Sequence, residues 1–416
     1  MTPVVLRPSG MKHFLRIWLF VIMGPALAPA QITWNAIYDF EMRKGGDNSS
    51  PERNDVVNGH PFFSVHRFQL FLNAGVDDQI SFTGKLQNNV IIGEKLKDVE
   101  IQLAYVTFGG LFGEDVNISA GRILTPFGLF AKRQLSTDNP LIGNPLYFQY
   151  QLRVSPSLGY RPDLVPGDVY GGLSIMYLGG YNTGLEVFGS AAGFMDYDFA
   201  VMNAPISLVT SDINTSEKFS YQGRIGFQPT MYLGIGFSGN YGPFMDKNLG
   251  GYRSITEDST LIDFDANIDT YTQLTGGIDV TLSWEYYTLV AEYIANRWNS
   301  PFIRTDVYPY VSGLRKGESL NLSSREFLVD ARIDMPFVVG LFVAGRFDQL
   351  TFGNIDNPRR AGIQTAWDNR VRRYAAGVGY KLARTVLLKA GYEWTIIDVD
   401  PRPYLNVWGL QLSAMF

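Results

Sequence analysis

The chain has 416 residues, of which 18% are charged, 14% are aromatic and none is cysteine. The absence of cysteine excludes a disulfide framework and thiol chemistry, and a formal net charge of −5 gives no reason to expect nucleic-acid binding. After residue 30 no apolar run is long enough for a membrane-spanning helix, which needs about 20 residues.

Residues 1–30 have the layout of a secretory signal peptide. Arg7, Lys12 and Arg16 precede an apolar run at 17–23, and the small residues Ala28 and Ala30 follow it. The segment contains no acidic residue. This pattern predicts export, with cleavage before Gln31. The run is too short for a retained membrane anchor, which is the alternative interpretation.

The rest of the chain alternates apolar and polar residues, which is typical of strands with one apolar face. From Ile32 to Met42 the even positions are apolar, with Thr33, Asn35 and Asp39 opposite. About sixteen strands are predicted, near residues 32–42, 62–75, 79–87, 98–108, 115–124, 169–178, 184–192, 219–229, 232–242, 272–283, 286–297, 325–333, 338–349, 370–382, 386–395 and 405–416. The weakest patterns are those of the sixth, seventh and tenth strands, so counts of fourteen and eighteen stay open.

The connections between these strands alternate between short and long. Short turns are predicted at 76–78, 179–182, 229–232, 334–336 and 383–384. Long polar loops are predicted near 43–61, 88–97, 126–168, 194–218, 243–271, 298–324, 351–368 and 396–404. Because outer-membrane barrels have short turns on one side and long loops on the other, the asymmetry favours a transmembrane antiparallel up-and-down β-barrel over a soluble sandwich.

The two ends of the strand series agree with closure of a barrel. The final strand alternates from Leu405 to Phe416 and descends from a long loop, so it ends on the side where the first strand begins at Ile32. An exposed apolar strand at the edge of a sheet promotes aggregation, whereas in a closed barrel the last strand pairs with the first and no edge remains. Aromatic residues near the short turns are predicted to form an interface girdle: Trp34, Tyr177, Tyr181, Tyr232, Trp284, Tyr286 and Tyr287.

The longest connection, residues 126–168, is predicted to fold into the lumen as a constriction. Structureless loops of more than about 15 residues are usually functional. This one is rich in proline and aromatic residues, a composition that does not suit a flexible tether. An external lid or a contact between subunits is the alternative interpretation.

The start of this loop carries the motif by which the chain resembles a known family. Gly121-Arg122 is followed after three residues by Pro126-Phe127-Gly128. The stretch resembles the junction between a strand and the long loop in phosphate-selective-porin-like proteins of the O/P type. The resemblance implies a trimeric, sixteen-stranded diffusion channel, anion-selective in some members through basic residues in the lumen and constriction.

Basic residues in the lumen would favour anions electrostatically. We expect the pore constriction and solute path to be lined by Arg122, Lys132, Arg133, Arg153, Arg224 and Arg346. Acidic residues such as Asp138 and Glu292 share the loop and the lumen face, so the sequence leaves the sign of the ion preference open. An equally weighted alternative is that these arginines bind carbonyl and carboxylate groups within a packed loop.

Enzymatic and metal sites are not expected. The predicted mature chain has only two histidines, His60 and His66, and no G-x-S-x-G motif. The spacing of acidic residues from Asp263 to Asp269 resembles a calcium loop, but Ile268 and Leu274 occupy the positions of the required glycine and glutamate. A solvated acidic loop is the favoured interpretation, and no metal or cofactor is predicted.

The sequence therefore predicts a signal peptide at 1–30 and a bacterial outer-membrane barrel at 31–416. The predicted function is that of a porin for passive diffusion of small hydrophilic solutes or inorganic anions, phosphate among the candidates. Expected partners are outer-membrane lipid, lipopolysaccharide and two further copies of the chain. A surface receptor, an adhesin or a substrate-specific uptake barrel is the alternative; the first strand begins so soon after Gln31 that we expect no plug domain before it.

Overall fold

The computed structural model describes most of the chain from Gln31 onward. The described residues are 31–46, 60–89, 99–111, 115–156, 159–160, 172–177, 180–208, 216–245, 253–255, 261–263, 265–301, 319–356, 362–399 and 404–416. The predicted signal peptide at 1–30 lies outside these ranges. Within them, no helix has both the length and the apolar character needed to cross a membrane.

Sixteen antiparallel strands form one closed barrel, which confirms the predicted fold class and strand count. In chain order β1 to β16 are Gln31–Gly45, Phe62–Gly75, Ile80–Asn89, Val99–Leu111, Val116–Leu124, Tyr181–Ala191, Met195–Met202, Ser220–Thr230, Leu233–Pro243, Thr272–Trp284, Tyr287–Pro301, Ser319–Asp334, Leu341–Phe352, Val371–Ala383, Val386–Ile397 and Tyr404–Met415. Among the described residues, three two-stranded ribbons lie outside the barrel sheet; they pair Val154–Ser155 with Gly159–Tyr160, Arg253–Ile255 with Leu261–Asp263, and Asn354–Asp356 with Gln364–Ala366. The described helices have only four to six residues: Phe130–Arg133, Leu146–Gln149 and Asp265–Thr270.

The barrel closes between its first and last strands, as the alternation of the final strand predicts. β1 pairs with β16 from Ile37 opposite Met415 to Gly45 opposite Val407. Beyond Met415, Phe416 exchanges two backbone hydrogen bonds with Ala36, with N···O distances of 2.9 and 3.1 Å. Closure satisfies the backbone groups of both edge strands, which a membrane barrel requires.

Each strand has an apolar outer face and a largely polar inner face. On β11, Tyr287 and Tyr293 are exposed, whereas Glu292 and Asn296, on the opposite face, are buried. Large apolar side chains recur at exposed positions on every side of the barrel. Because polar groups are buried and apolar groups are exposed, the pattern is the reverse of that of a soluble sandwich.

Most of the predicted aromatic girdle is exposed near the short turns. Trp34, Tyr232, Trp284, Tyr286 and Tyr287 are all more than two fifths exposed. The prediction was wrong for Tyr177 and Tyr181, which do not lie near a short turn. The structure places both at the long-loop end of β6, where the Tyr181 side chain is 3% exposed.

The sixth and seventh strands differ from those predicted. Residues 172–177 form no strand, although a strand was predicted at 169–178. The strand predicted at 184–192 corresponds to β6 at Tyr181–Ala191, and β7 at Met195–Met202 lies where the long loop 194–218 was predicted. The turn between β6 and β7 is Ala192 to Phe194, in which Gly193 adopts a φ of 71°. Two aspartates of β7 make its start resemble a polar loop, but both lie on the inner face, where polar groups are accommodated.

Candidate pore constriction

The connection from β5 to β6 is the third long loop, and its described residues, 125–156, 159–160, 172–177 and 180, include segments that contact inner-face side chains of the barrel. Its first turn is fixed by Glu292 of β11, whose Oε1 accepts hydrogen bonds from the backbone N–H groups of Leu129 and Phe130 at 2.9 Å. Just before this turn, Gly128 adopts a φ of 64° and donates its N–H to the Ser238 hydroxyl at 3.0 Å. A positive φ favours glycine because it has no Cβ.

A second turn of the third loop is held by three carboxylates of adjacent strands. The backbone N–H of Leu146 donates to Asp348 at 2.9 Å, and that of Tyr147 donates to Glu326 at 3.2 Å. The Tyr147 hydroxyl donates to Glu292 at 2.7 Å. Burial, together with the charge of Glu292, holds the pKa of Tyr147 well above its usual range, so the phenol remains a donor.

Three cations of the inner face bind backbone carbonyl groups of the same loop. Arg346 of β13 donates to the Gly143 carbonyl at 2.9 Å, and Arg373 of β14 donates to that of Asn144 at 3.1 Å. The Lys389 ammonium of β15 binds three loop carbonyls, those of Ser136, Asn139 and Leu141, at 2.8–3.1 Å. Such contacts satisfy backbone groups that the loop cannot pair internally.

An apolar core joins the loop to the long-loop end of the barrel. Loop residues Phe127, Tyr147 and Leu152 belong to the same buried cluster as the inner-face residues Trp298 and Leu322. The backbone of 172–177 belongs to this loop as well, since Leu152 and Leu173 are hydrogen-bonded at 2.8 Å. The alternating Leu173 and Ile175, which suggest a strand, are buried in the loop core.

The predicted site residues within the third loop differ in exposure. Lys132 is exposed on the first turn, next to Arg133, which is partly buried. Burial lowers the pKa of Arg133, an effect that Asp330 opposes. Arg153 is about one third exposed; its backbone N–H donates to Asp368 at 3.0 Å, and its Nε lies 3.6 Å from the same carboxylate.

The three predicted residues on strands are all in ion pairs. Arg122 lies 3.3 Å from Glu100, and its guanidinium stacks 4.6 Å from the centre of the Tyr181 ring. Arg224 binds Asp279 through two hydrogen bonds of 2.7 and 3.1 Å.

Arg346 is almost completely buried and binds Asp330 through two hydrogen bonds of 2.6 and 3.0 Å. Together with its bond to the Gly143 carbonyl, this places Arg346 between β12, β13 and the third loop. The loop contacts of Arg373 and Lys389 have no equivalent in the sequence-based set of site residues. Both residues occupy alternate positions of β14 and β15 that face the interior of the barrel, and this alternation is the signal that could have identified them.

The inner-face side chains are buried to different extents on different strands of the barrel. On β11, β12 and β13 the inner-face side chains at 290–300, 320–330 and 342–350 are all buried. On β4 and β6 the inner-face residues Glu100 and Glu186 are only partly buried. The third loop thus contacts one side of the inner wall and leaves polar side chains accessible on the other.

The last residue of the acidic segment that resembles a calcium loop, Asp269, forms hydrogen bonds to a neighbouring loop. The Asp269 carboxylate accepts hydrogen bonds from the Ser216 hydroxyl and from the Glu217 backbone N–H. Among the described residues, no group of three or more histidine or acidic side chains has the geometry of a metal site.

Comparisons with known proteins identify the fold. No protein-family model and no curated protein matches the chain. Among solved structures, the outer membrane channel DcaP of Acinetobacter baumannii is similar with a TM-score of 0.57 and 10% identity, over 93% of this chain and 97% of that one. The anion-selective porin from Comamonas acidovorans is similar with a TM-score of 0.55 and 8% identity, over 93% of this chain and all of that one.

A third similar structure is the in-vitro folded outer membrane protein OmpT of Vibrio cholerae in its trimer form. The TM-score is 0.54 at 10% identity, over 94% of this chain and all of that one. At these identities the likeness shows the fold, which is that of the outer-membrane barrels of Gram-negative bacteria. The specific resemblance to the phosphate-selective type rests on the motif at 121–128 alone.

Proposed function

We propose that the protein is an outer-membrane porin that lets small hydrophilic solutes or ions diffuse passively through a water-filled channel. The uneven cover of the inner wall carries the proposal. A sixteen-stranded barrel is too wide to be filled by its own side chains. One loop, held to one side of the wall by hydrogen bonds between its backbone and buried charged side chains, would narrow such a bore without closing it.

The third loop is the proposed constriction, inside the lumen. The exposed Lys132 and the partly exposed Arg133 and Arg153 would then present positive charge to the solute path. Arg122 and Arg224 would contribute less, because each already has a carboxylate partner. Arg346 would act indirectly, by holding the loop in place.

The exposed apolar outer face supports contact with outer-membrane lipid and lipopolysaccharide. We also propose that three copies assemble into a homotrimer, as the trimer form of the Vibrio cholerae protein and the family resemblance suggest. Anions, phosphate among them, are the proposed preferred solutes, since the accessible loop residues are basic. The sequence motif at 121–128 agrees with this preference.

Single-channel recording of the purified protein in planar lipid bilayers tests the proposal. We expect stepwise conductance, and a reversal potential under a salt gradient that reports anion preference. Lys132→Glu should shift that preference toward cations, while Lys218→Glu, at an exposed site outside the strands, should leave it unchanged. Absence of conductance would contradict the porin function; a cation preference would contradict only the anion-selective version.

A further inference from the structure

We infer that a row of outward-facing arginines on β11, β12 and β14 binds the phosphate groups of lipopolysaccharide in the outer leaflet of the membrane. The row consists of Arg297, Arg325 and Arg372 and is called the outer arginine row below. The inference rests on the lipopolysaccharide contact proposed above and names the place on the barrel that would hold the headgroup. It does not depend on conductance through the channel.

The strand alternation places the three arginines on the apolar outer face of the barrel. Alternate residues of a strand point to the same side of the sheet. Each arginine is an even number of residues from an exposed aromatic side chain of its own strand, as the pairs Arg297 and Tyr293, Arg325 and Phe327, and Arg372 and Tyr374 show. The arginines therefore lie on the side that faces lipid.

The position of the outer arginine row along the strands matches the far edge of the apolar band. On β11, Arg297 lies ten residues from Tyr287, which belongs to the aromatic girdle at the short turns. Ten residues of a strand tilted by about 40° rise about 25 Å along the barrel axis, which is about the height of the apolar band of an outer-membrane barrel. The row is therefore at the level of the headgroups on the long-loop side, which is extracellular.

The outward positions of these strands supply no negative charge to match the row. Between the arginines and the short turns, the outward residues of β11, β12 and β14 are all apolar or aromatic. No aspartate or glutamate occupies an outward position of the described strands β11 to β14. An anionic headgroup therefore meets cations on this face without repulsion from carboxylates.

Two of the three arginines are available to an anion. Arg325 is exposed, and within the described part of the chain no carboxylate lies within 4 Å of its guanidinium. Arg297 is exposed as well and donates to the neutral Asn321 at 3.0 Å. Arg372 lies 3.1 Å from Asp398, so it would contribute less than the other two. An exposed guanidinium without a counter-charge suits phosphate, which accepts charge-assisted bidentate hydrogen bonds.

Arg297 and Arg325 are close enough to share one phosphate group. Arg297 pairs with Ser323 and Arg325 pairs with Ala295, so the two arginines are diagonal neighbours on adjacent strands. Cβ atoms of such neighbours are about 7–8 Å apart, within reach of two long side chains that converge on one ligand. Long cationic side chains at this depth extend toward the polar interface.

A row of aromatic side chains lies on the short-turn side of the arginines. The ring centres of Phe327 and Phe347 are 6.4 Å apart, and those of Phe347 and Tyr374 are 5.1 Å apart. Trp394 continues the row, with its ring centre 5.9 Å from that of Tyr374. Aromatic rings at a membrane interface contact acyl chains on one side and headgroups on the other. Lipid A, the anchor of lipopolysaccharide, carries phosphate and acyl chains on one disaccharide, so both of its parts find matching groups on this face.

The first test measures binding of lipid A to the folded protein in detergent micelles by native mass spectrometry. We expect diphosphoryl lipid A to bind about tenfold more tightly than the same lipid without phosphate, and Arg325→Gln to remove this advantage. Arg297→Gln combined with Arg325→Gln should reduce the affinity further. Arg384→Gln is the matched control, because Arg384 is an exposed arginine in the short turn between β14 and β15.

Two results of this test would overturn the inference. One is an affinity of the double variant for diphosphoryl lipid A equal to that of the parent protein. The other is equal affinity of the parent protein for the two lipids, which would mean that only the acyl chains are bound. Binding of the lipid without phosphate should be the same for the parent protein and every variant.

The second test records the oligomeric state and the conductance of the double variant in phosphatidylcholine bilayers, which contain no lipid A. Both should equal those of the parent protein, since the outer arginine row lies outside the lumen. A changed oligomeric state with unchanged lipid A affinity would assign this face to a contact between subunits and overturn the inference. A parent protein that discriminates between the two lipids but has no conductance would support the inference and contradict only the porin function.

Discussion

At the scale of single residues, the buried Arg346–Asp330 pair of the wall positions a guanidinium that also binds the third loop. Both side chains are almost fully buried, and the guanidinium also binds the Gly143 carbonyl. Removal of one member of a buried ion pair leaves an uncompensated charge, which costs about 3–5 kcal/mol. We expect Arg346→Leu to lower the free energy of unfolding from lipid vesicles by this amount, measured with urea.

Two comparisons make that prediction specific. The control is Arg332→Leu, since Arg332 pairs with Asp334 at a more exposed site, 22% and 44% exposed, where an ion pair contributes about 1 kcal/mol or less. Replacement of both Arg346 and Asp330 by leucine should recover part of the loss, because no charge then remains unpaired. A loss for Arg346→Leu no greater than that for Arg332→Leu would contradict the anchoring role.

Glu292 offers a second residue-scale prediction. Its carboxylate accepts two backbone N–H groups and one hydroxyl of the third loop, and hydrogen bonds to charged groups contribute about 1.5–3 kcal/mol against about 0.5–1.5 kcal/mol for neutral ones. Glu292→Gln should therefore speed hydrogen exchange of the Leu129 and Phe130 amides by on the order of tenfold. Asp196→Asn, which removes an exposed carboxylate of the inner face, is the control and should leave both rates unchanged.

At the scale of elements, the conformation at Gly128 sets the course of the third loop. Its φ of 64° strains any residue with a Cβ by about 1–2 kcal/mol, although an added methyl group would meet nothing closer than 3.7 Å. Gly128→Ala should accordingly lower the stability of the first loop turn by that amount, measured by hydrogen exchange of residues 127–133. Gly239→Ala, in a strand with open space around the added methyl group, should have no effect; equal effects at both glycines would refute the strain argument.

The elements also show what periodicity can and cannot predict. Fifteen of the sixteen barrel strands lie close to a predicted strand. Their alternation is strong because one face of each strand contacts lipid and the other faces the polar interior of the barrel. The pattern at Leu173 and Ile175 was misleading because burial in a loop core demands apolar residues just as a strand does. Conversely, Asp196 and Asp198 obscured β7, since aspartate is rare in strands unless one face is polar.

The site was harder to predict than the fold for a physical reason. Alternation identifies a cation that points into the barrel, but the role of that cation depends on which atoms of the third loop contact it in the folded protein. Lys389 contacts three carbonyl groups, and Arg346 contacts a carboxylate and a carbonyl group. These partners are more than 15 residues away in sequence, so no local pattern distinguishes a structural cation from one that faces solute.

At the scale of the whole molecule, the proposed constriction predicts a covered and an accessible side of the lumen, and this difference can be measured directly. The chain has no cysteine, so single introduced cysteines report accessibility without a background. We expect Glu186→Cys, on the partly exposed inner face of β6, to react rapidly with a charged, membrane-impermeant thiol reagent and to lose conductance as it does.

Cysteines on the covered side should behave differently at the same reagent concentration. Ser324→Cys and Thr275→Cys replace small inner-face side chains that are 2% and 1% exposed, so the folded protein should protect them. Denaturation should make all three equally reactive, which controls for intrinsic thiol reactivity. Rapid labelling of Ser324→Cys in a conducting channel would mean that solutes pass between the loop and β12, and the accessible path along β4 and β6 would then be the wrong one.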